Sequence, residues 1–162
     1  MKNVLLSLAV LALCCCATVT PYSGPTSADT TSVTLEASGL MKHAAMPDDT
    51  LVIHIFDGNQ SAPLGTVKLT TERSRETLKF DVGKPISFRF MSMQPHFGGY
   101  TTCNLDVPFV ADEHVSYSIT YLTSKNACTT RISKLTPEGH SILLSELTGT
   151  VNGVQYKAEV IY

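Results

Sequence analysis

Two thioethers and an imidazole stand close together in the segment Met91-Ser92-Met93-Gln94-Pro95-His96. Methionine sulfur and histidine nitrogen suit copper, and thioethers favour Cu(I) in particular. Met91, Met93 and His96 are therefore candidate metal ligands. A second irregular segment containing Met41, His43 and Met46 is able to add donors. The competing reading is packing, because methionine is unbranched and fills gaps where a strand kinks, as one would near Pro95. The next four residues, Phe97-Gly98-Gly99-Tyr100, read as a flexible aromatic loop. Phe97 and Tyr100 are candidate contact residues of a binding tip, since the loops at a sandwich end often carry function.

Nucleophilic chemistry finds no comparable support. No Gly-x-Ser-x-Gly elbow occurs in the chain. The acidic pairs Asp48-Asp49 and Asp112-Glu113 fall at turns, where solvated carboxylates are the expectation, and Asp57-Gly58-Asn59 lacks the spacing of a calcium loop. His54 lies mid-strand and reads as a hydrogen-bonded structural histidine, while His114 and His140 lie at turns exposed to solvent. No catalytic residue is assigned and no cofactor is expected.

Three consecutive cysteines, Cys14, Cys15 and Cys16, close an apolar run, Val4 to Leu13, that follows a single Lys at position 2. The run is too short to cross a bilayer as a helix, which takes roughly 20 apolar residues. A positive start, a short apolar core and small residues afterwards make a secretory signal peptide, expected over residues 1–15. The segment Leu13-Cys14-Cys15-Cys16-Ala17-Thr18 resembles the lipobox of bacterial lipoproteins, with Leu13 three positions ahead of Cys16. The resemblance implies acylation of Cys16, with Cys14 as the alternative. The absence of Asp after Cys16 implies the outer membrane. Several acyl chains hold a protein stably, at about 0.8 kcal/mol per buried CH₂. Cleavage after Ala17 would instead release a soluble periplasmic protein. Residues 16–31 are rich in Thr, Ser, Pro and Gly and read as a flexible tether.

With the N-terminal cluster set aside, Cys103 and Cys128 remain from a total of five cysteines. An exported pair in an oxidising space closes as a disulfide. Neither has the close Cys or His neighbours of a zinc site. In extended strands Cys103 shares a face with Leu105, Val107 and Phe109, and Cys128 shares one with Thr130 and Ile132, so both sulfurs point inward. If the strand after next crosses to the other sheet, the bridge joins two sheets.

The elements that would position these residues are strands. Period-two alternation recurs from Val33 to Val160, interrupted by turn residues such as Asp57-Gly58-Asn59, Gly83-Lys84-Pro85 and Pro137-Glu138-Gly139. Leu51 to Phe56 is largely apolar on both faces, as in a central strand. Leu40 to Ala45 is the one possible helix, confined to a turn by Gly39 and Pro47. The expectation is an all-β, single-domain antiparallel β-sandwich over residues 32–162, of Ig-like or transthyretin-like type, with one disulfide. Charge is nearly balanced, with 12 Lys and Arg against 14 Asp and Glu, and no basic stripe exists for nucleic acid.

The runs Gly65-Thr66-Val67-Lys68-Leu69 and Val82-Gly83-Lys84-Pro85-Ile86-Ser87-Phe88, with a Cys and a Tyr downstream, resemble the small PEGA-like or transthyretin-like sandwich modules of Gram-negative lipoproteins. The resemblance implies a fold and a surface role, and no activity. The function expected is a non-enzymatic envelope binding or structural module, held to the membrane by its lipid and contacting an envelope protein or glycan. The alternatives are a periplasmic copper protein using Met91, Met93 and His96, and an inhibitor of a hydrolase such as lysozyme. Mass spectrometry of the protein extracted from membranes checks the anchor: an N-terminal acylated Cys16 is expected, and an unmodified terminus at Thr18 contradicts it.

Overall fold

A computed structural model describes residues 20–58, 60–124, 127–150 and 153–160, with Thr150 and the last segment described by backbone alone. The signal-peptide segment and Cys14, Cys15 and Cys16 lie outside the described residues. Ten strands follow one another: β1 (Thr30–Ser38), β2 (Thr50–Asp57), β3 (Pro63–Thr70), β4 (Arg75–Asp81), β5 (Pro85–His96), β6 (Gly99–Val110), β7 (Ser116–Thr123), β8 (Ala127–Leu135), β9 (Ser141–Thr150) and β10 (Gly153–Val160). They form a four-stranded sheet in the order β3-β2-β5-β6 and a six-stranded sheet in the order β10-β9-β8-β7-β1-β4. The two sheets pack face to face as a β-sandwich.

Alternation builds the core. Leu51, Ile53 and Ile55 from β2, Phe88 and Phe90 from β5, and Leu105 and Val107 from β6 are fully buried on the inner face of the small sheet. Val33 and Leu35 from β1 and Ile119 and Tyr121 from β7 meet them from the large sheet. The rings interlock across the interface: Phe90 stacks on Tyr121 at 5.8 Å and Phe109 meets Tyr117 edge-on at 4.9 Å. Such pairs add about 0.5–1.5 kcal/mol each beyond the area they bury. β2 runs between β3 and β5, with Leu51, Ile53 and Ile55 buried on its inner face and Val52, His54 and Phe56 half-buried on its outer one.

Three expectations need correction. The sandwich is not wholly antiparallel, because β1 pairs in parallel with β7 from Val33↔Tyr117 to Ser38↔Leu122 while pairing antiparallel with β4. Alternation reports which face of a strand is buried and carries no information on the direction of its neighbour. Leu40 to Ala45 forms no helix; residues 44–46 make a bend. The ordered chain also starts ahead of Ser32. β1 begins at Thr30, and Pro21 bridges Thr66 on the edge strand β3. The Tyr22 ring stacks on Phe80 at 5.0 Å and its hydroxyl donates to the Lys79 carbonyl at 3.0 Å. Gly65 makes this possible: a β-carbon there would lie 2.4 Å from the Tyr22 Cα. Residues 20–22, expected as tether, thus form a strap between the edges of the two sheets, because Tyr22 is an aromatic with apolar surface to bury in an otherwise polar segment.

Cys103 on β6 and Cys128 on β8 form a disulfide, with Cα atoms 6.3 Å apart. Because β6 belongs to the small sheet and β8 to the large one, the bridge ties the sheets together. Both cysteines are buried, as their inward parity requires.

Candidate functional site

One end of the sandwich carries the β5–β6 hairpin, the segment from Gly39 to Asp49 and the end of β7. The hairpin has two 12-residue arms in continuous register from Pro85↔Val110 to His96↔Gly99, leaving only Phe97 and Gly98 at the tip. So tight a turn needs a left-handed residue, and Gly98 supplies it with φ of 106°. Phe97 is 90% exposed and Tyr100 56% exposed. Both residues of the expected binding tip therefore stand in solvent.

Beneath the tip a cleft of about 350 Å³ opens between the sheets. Met41, His43, Asp49, Gln94, His96 and Thr123 are among the residues that line it. The segment from Met41 to Asp49 is shaped by two carboxylates. Asp49, with no exposed surface, accepts from the Met41 N–H at 3.0 Å and from His43 Nε2 at 2.8 Å. Asp48 accepts from the His43 N–H at 3.0 Å and from the Thr71 hydroxyl at 3.2 Å. The backbone N–H of His43 is the main cause holding the Asp48 carboxyl below its ordinary pKa, with Thr71, Lys42 and His43 adding to it against a smaller opposing desolvation. A carboxyl lowered in this way contributes to stability above the ordinary carboxylate range. That contribution is lost as pH falls through the depressed value. The expectation that Asp48 and Asp49 are both solvated is corrected: Asp49 shares the inward parity of Leu51 and Ile53 and is buried because it serves as acceptor for its own loop.

The floor of the cleft rests on polar links between the sheets. Gln94 Nε2 donates to the Thr123 hydroxyl at 2.7 Å. One layer deeper, the Tyr121 hydroxyl donates to Ser92 Oγ at 2.7 Å, and Ser92 Oγ lies 3.5 Å from the Cys103 carbonyl it faces. Burial drives the Tyr121 pKa up to about 12, partly offset by its bond to Ser92, so its proton stays in place. The disulfide lies in the same layer, with Ser92 opposite Cys103 in register.

The three expected metal ligands are not brought together. Met91 and Met93 lie on the outer face of the small sheet, opposite Val52 and Thr50, with Met93 41% exposed. His96 has the parity of Phe90, Ser92 and Gln94 and lines the cleft instead. An odd spacing between Met93 and His96 places them on opposite faces of one strand, a signal present in the sequence. The second expected donor segment does reach the cleft, through Met41 and His43. Among the described residues, no three His, Cys, Asp or Glu side chains are close enough to form a metal cage.

Other histidines behave as structural groups. His54 shares a 2.9 Å hydrogen bond with the Thr66 hydroxyl across β2 and β3. His114 and His140 are exposed. Beside His54, Arg89 is paired with Asp106 at 2.7 Å and stacked 5.1 Å from the Phe56 ring centre, so this part of the outer face is internally satisfied. His43 carries the carboxylate partner that orients catalytic histidines, yet among the described residues no hydroxyl or thiol is hydrogen-bonded to it.

Replacing Asp49 tests the loop architecture. Asp49→Ala leaves the Met41 N–H and the His43 ring without their acceptor and is expected to lower stability by about 3 kcal/mol in urea unfolding. An unchanged midpoint would contradict the role assigned to the carboxylate. Comparison of the chain with protein-family models, with curated proteins and with solved structures finds no match.

Proposed function

We propose that the protein is a non-enzymatic cell-envelope lipoprotein that binds an envelope protein or glycan through the tip of its β5–β6 hairpin. Its anchor is acylated Cys16 and its location the outer membrane. The observation that carries the reading is Phe97, 90% exposed at the apex of a hairpin whose arms are fixed in register to the last pair. A large aromatic held out in water by a rigid support loses apolar area to solvent until a partner covers it. Tyr100, opposite Pro95 in the register, adds an amphipathic ring beside it, of the kind enriched at contact centres.

The strap supports the same reading. With Pro21 and Tyr22 docked on the sheet edge, an acylated Cys16 has five Cα steps before the domain begins, less than about 18 Å of extended chain. The domain is then a membrane-proximal module on a short leash, in place of one at the end of a long tether. Its outward-facing side chains meet partners that are themselves at the membrane surface.

Site-specific photo-crosslinking in intact envelopes tests the proposal. A crosslinker at Phe97 is expected to give a discrete adduct with protein or glycan, absent when it is placed at exposed Glu113 in the β6–β7 turn, at the other end of β6. Equal labelling from the two positions, or none from Phe97, would contradict it.

A further inference from the structure

The cleft beneath the hairpin contains a pair of imidazoles whose hydrogen bonds leave one nitrogen on each available. His43 Nε2 lies 2.8 Å from Asp49 Oδ1, and an ionised carboxylate only accepts, so Nε2 carries the proton. His96 Nδ1 lies 3.2 Å from the Phe97 carbonyl, which also only accepts, so Nδ1 carries the proton there. In the neutral form, such bonding leaves the lone pair on the other nitrogen: Nδ1 of His43 and Nε2 of His96. A carboxylate behind an imidazole is the arrangement that fixes the tautomer and raises the basicity of a metal-binding histidine. Asp49, with no exposed surface and held also by the Met41 N–H, cannot turn away from that role without breaking its loop. The Met41 thioether lines the same cleft and is 56% exposed, free to turn.

We propose that this cleft is a copper site, with His43 Nδ1, His96 Nε2 and the Met41 sulfur as ligands and Asp49 as the carboxylate that orients His43. Two imidazoles and a thioether suit copper better than other first-row metals, since imidazole serves both its oxidation states and thioether favours Cu(I). The donors come from the loop between β1 and β2 and from the hairpin. His43 is held in place by Asp49, His96 lines the same cleft, and Met41 is an exposed side chain beside them. Met91 and Met93 take no part, because they lie on the outer face of the small sheet. The site needs neither the lipid anchor nor the hairpin's partner, so it stands or falls separately from the proposed binding role.

The test is titration of the processed protein, purified without a histidine tag, with Cu(I) against a chromophoric chelator and with Cu(II). One equivalent is expected to bind tighter than micromolar. His96→Ala and His43→Gln are each expected to weaken Cu(II) at least tenfold, and Met41→Leu to weaken Cu(I) more than Cu(II). Met91→Leu with Met93→Leu is expected to change neither. The Cu(II) electron paramagnetic resonance spectrum is expected to show imidazole nitrogen coupling that diminishes in His96→Ala. Because His43 also supports its loop, exposed His96 gives the variant that keeps the fold. Absence of micromolar binding, binding that survives His96→Ala, or binding lost with the Met91 and Met93 changes would overturn the proposal.

Discussion

The Cys103–Cys128 bridge is the constraint on which the rest of the molecule depends. It is a covalent cross-link between the two sheets, added to their packing and hydrogen bonds, and it closes a separation of 25 residues. In the chain-entropy account such a loop adds about 3 kcal/mol by restricting the unfolded chain. Its position matters as much as its size. It lies in the layer of Ser92 and Tyr121, directly under the Gln94–Thr123 link that forms the cleft floor. The ends of β5, β6 and β7 are thereby fixed relative to one another, and a hairpin of 12-residue arms can project beyond the core without splaying.

The opposite problem, an open sheet edge, is handled by non-covalent means. β3 and β4 are the edge strands of their sheets on the same side of the sandwich, and unpaired edges invite association with other chains. Tyr22 fills the gap between them, against Phe80 and over Gly65. The chain then turns into β1, which runs between β4 and β7, antiparallel to the first and parallel to the second. A disulfide at one position and a docked strap at another thus share the work of closing a small sandwich.

Much of this was legible in the residues and some was not. The inner rows of β2, β5 and β6 follow from alternation, as do the inward cysteines, whereas the placement of β6 and β8 in different sheets does not. The direction of β7 relative to β1 does not follow, since a period of two is the same for parallel and antiparallel neighbours. The docking of Tyr22 was hidden because a strap is made of long-range contacts, and its one local sign was an aromatic in a polar stretch. Asp49 was misjudged because its burial depends on its own loop folding back to offer Met41 and His43 as donors. The candidate site was half legible. The alternation that separates His96 from Met91 and Met93 was available in the sequence, but only the fold shows that His96 and His43 share a cleft.

Hydrogen–deuterium exchange on the double variant Cys103→Ala/Cys128→Ala, compared with the bridged protein while both are folded, tests most directly whether the bridge holds the cleft end together. The account predicts that protection falls most at Ser92 to Cys103 and Tyr121 to Thr123, while amides of the β1–β4 pairing near Thr31 and Phe80 keep theirs. An even loss along all strands, or no loss at the cleft end, would contradict it.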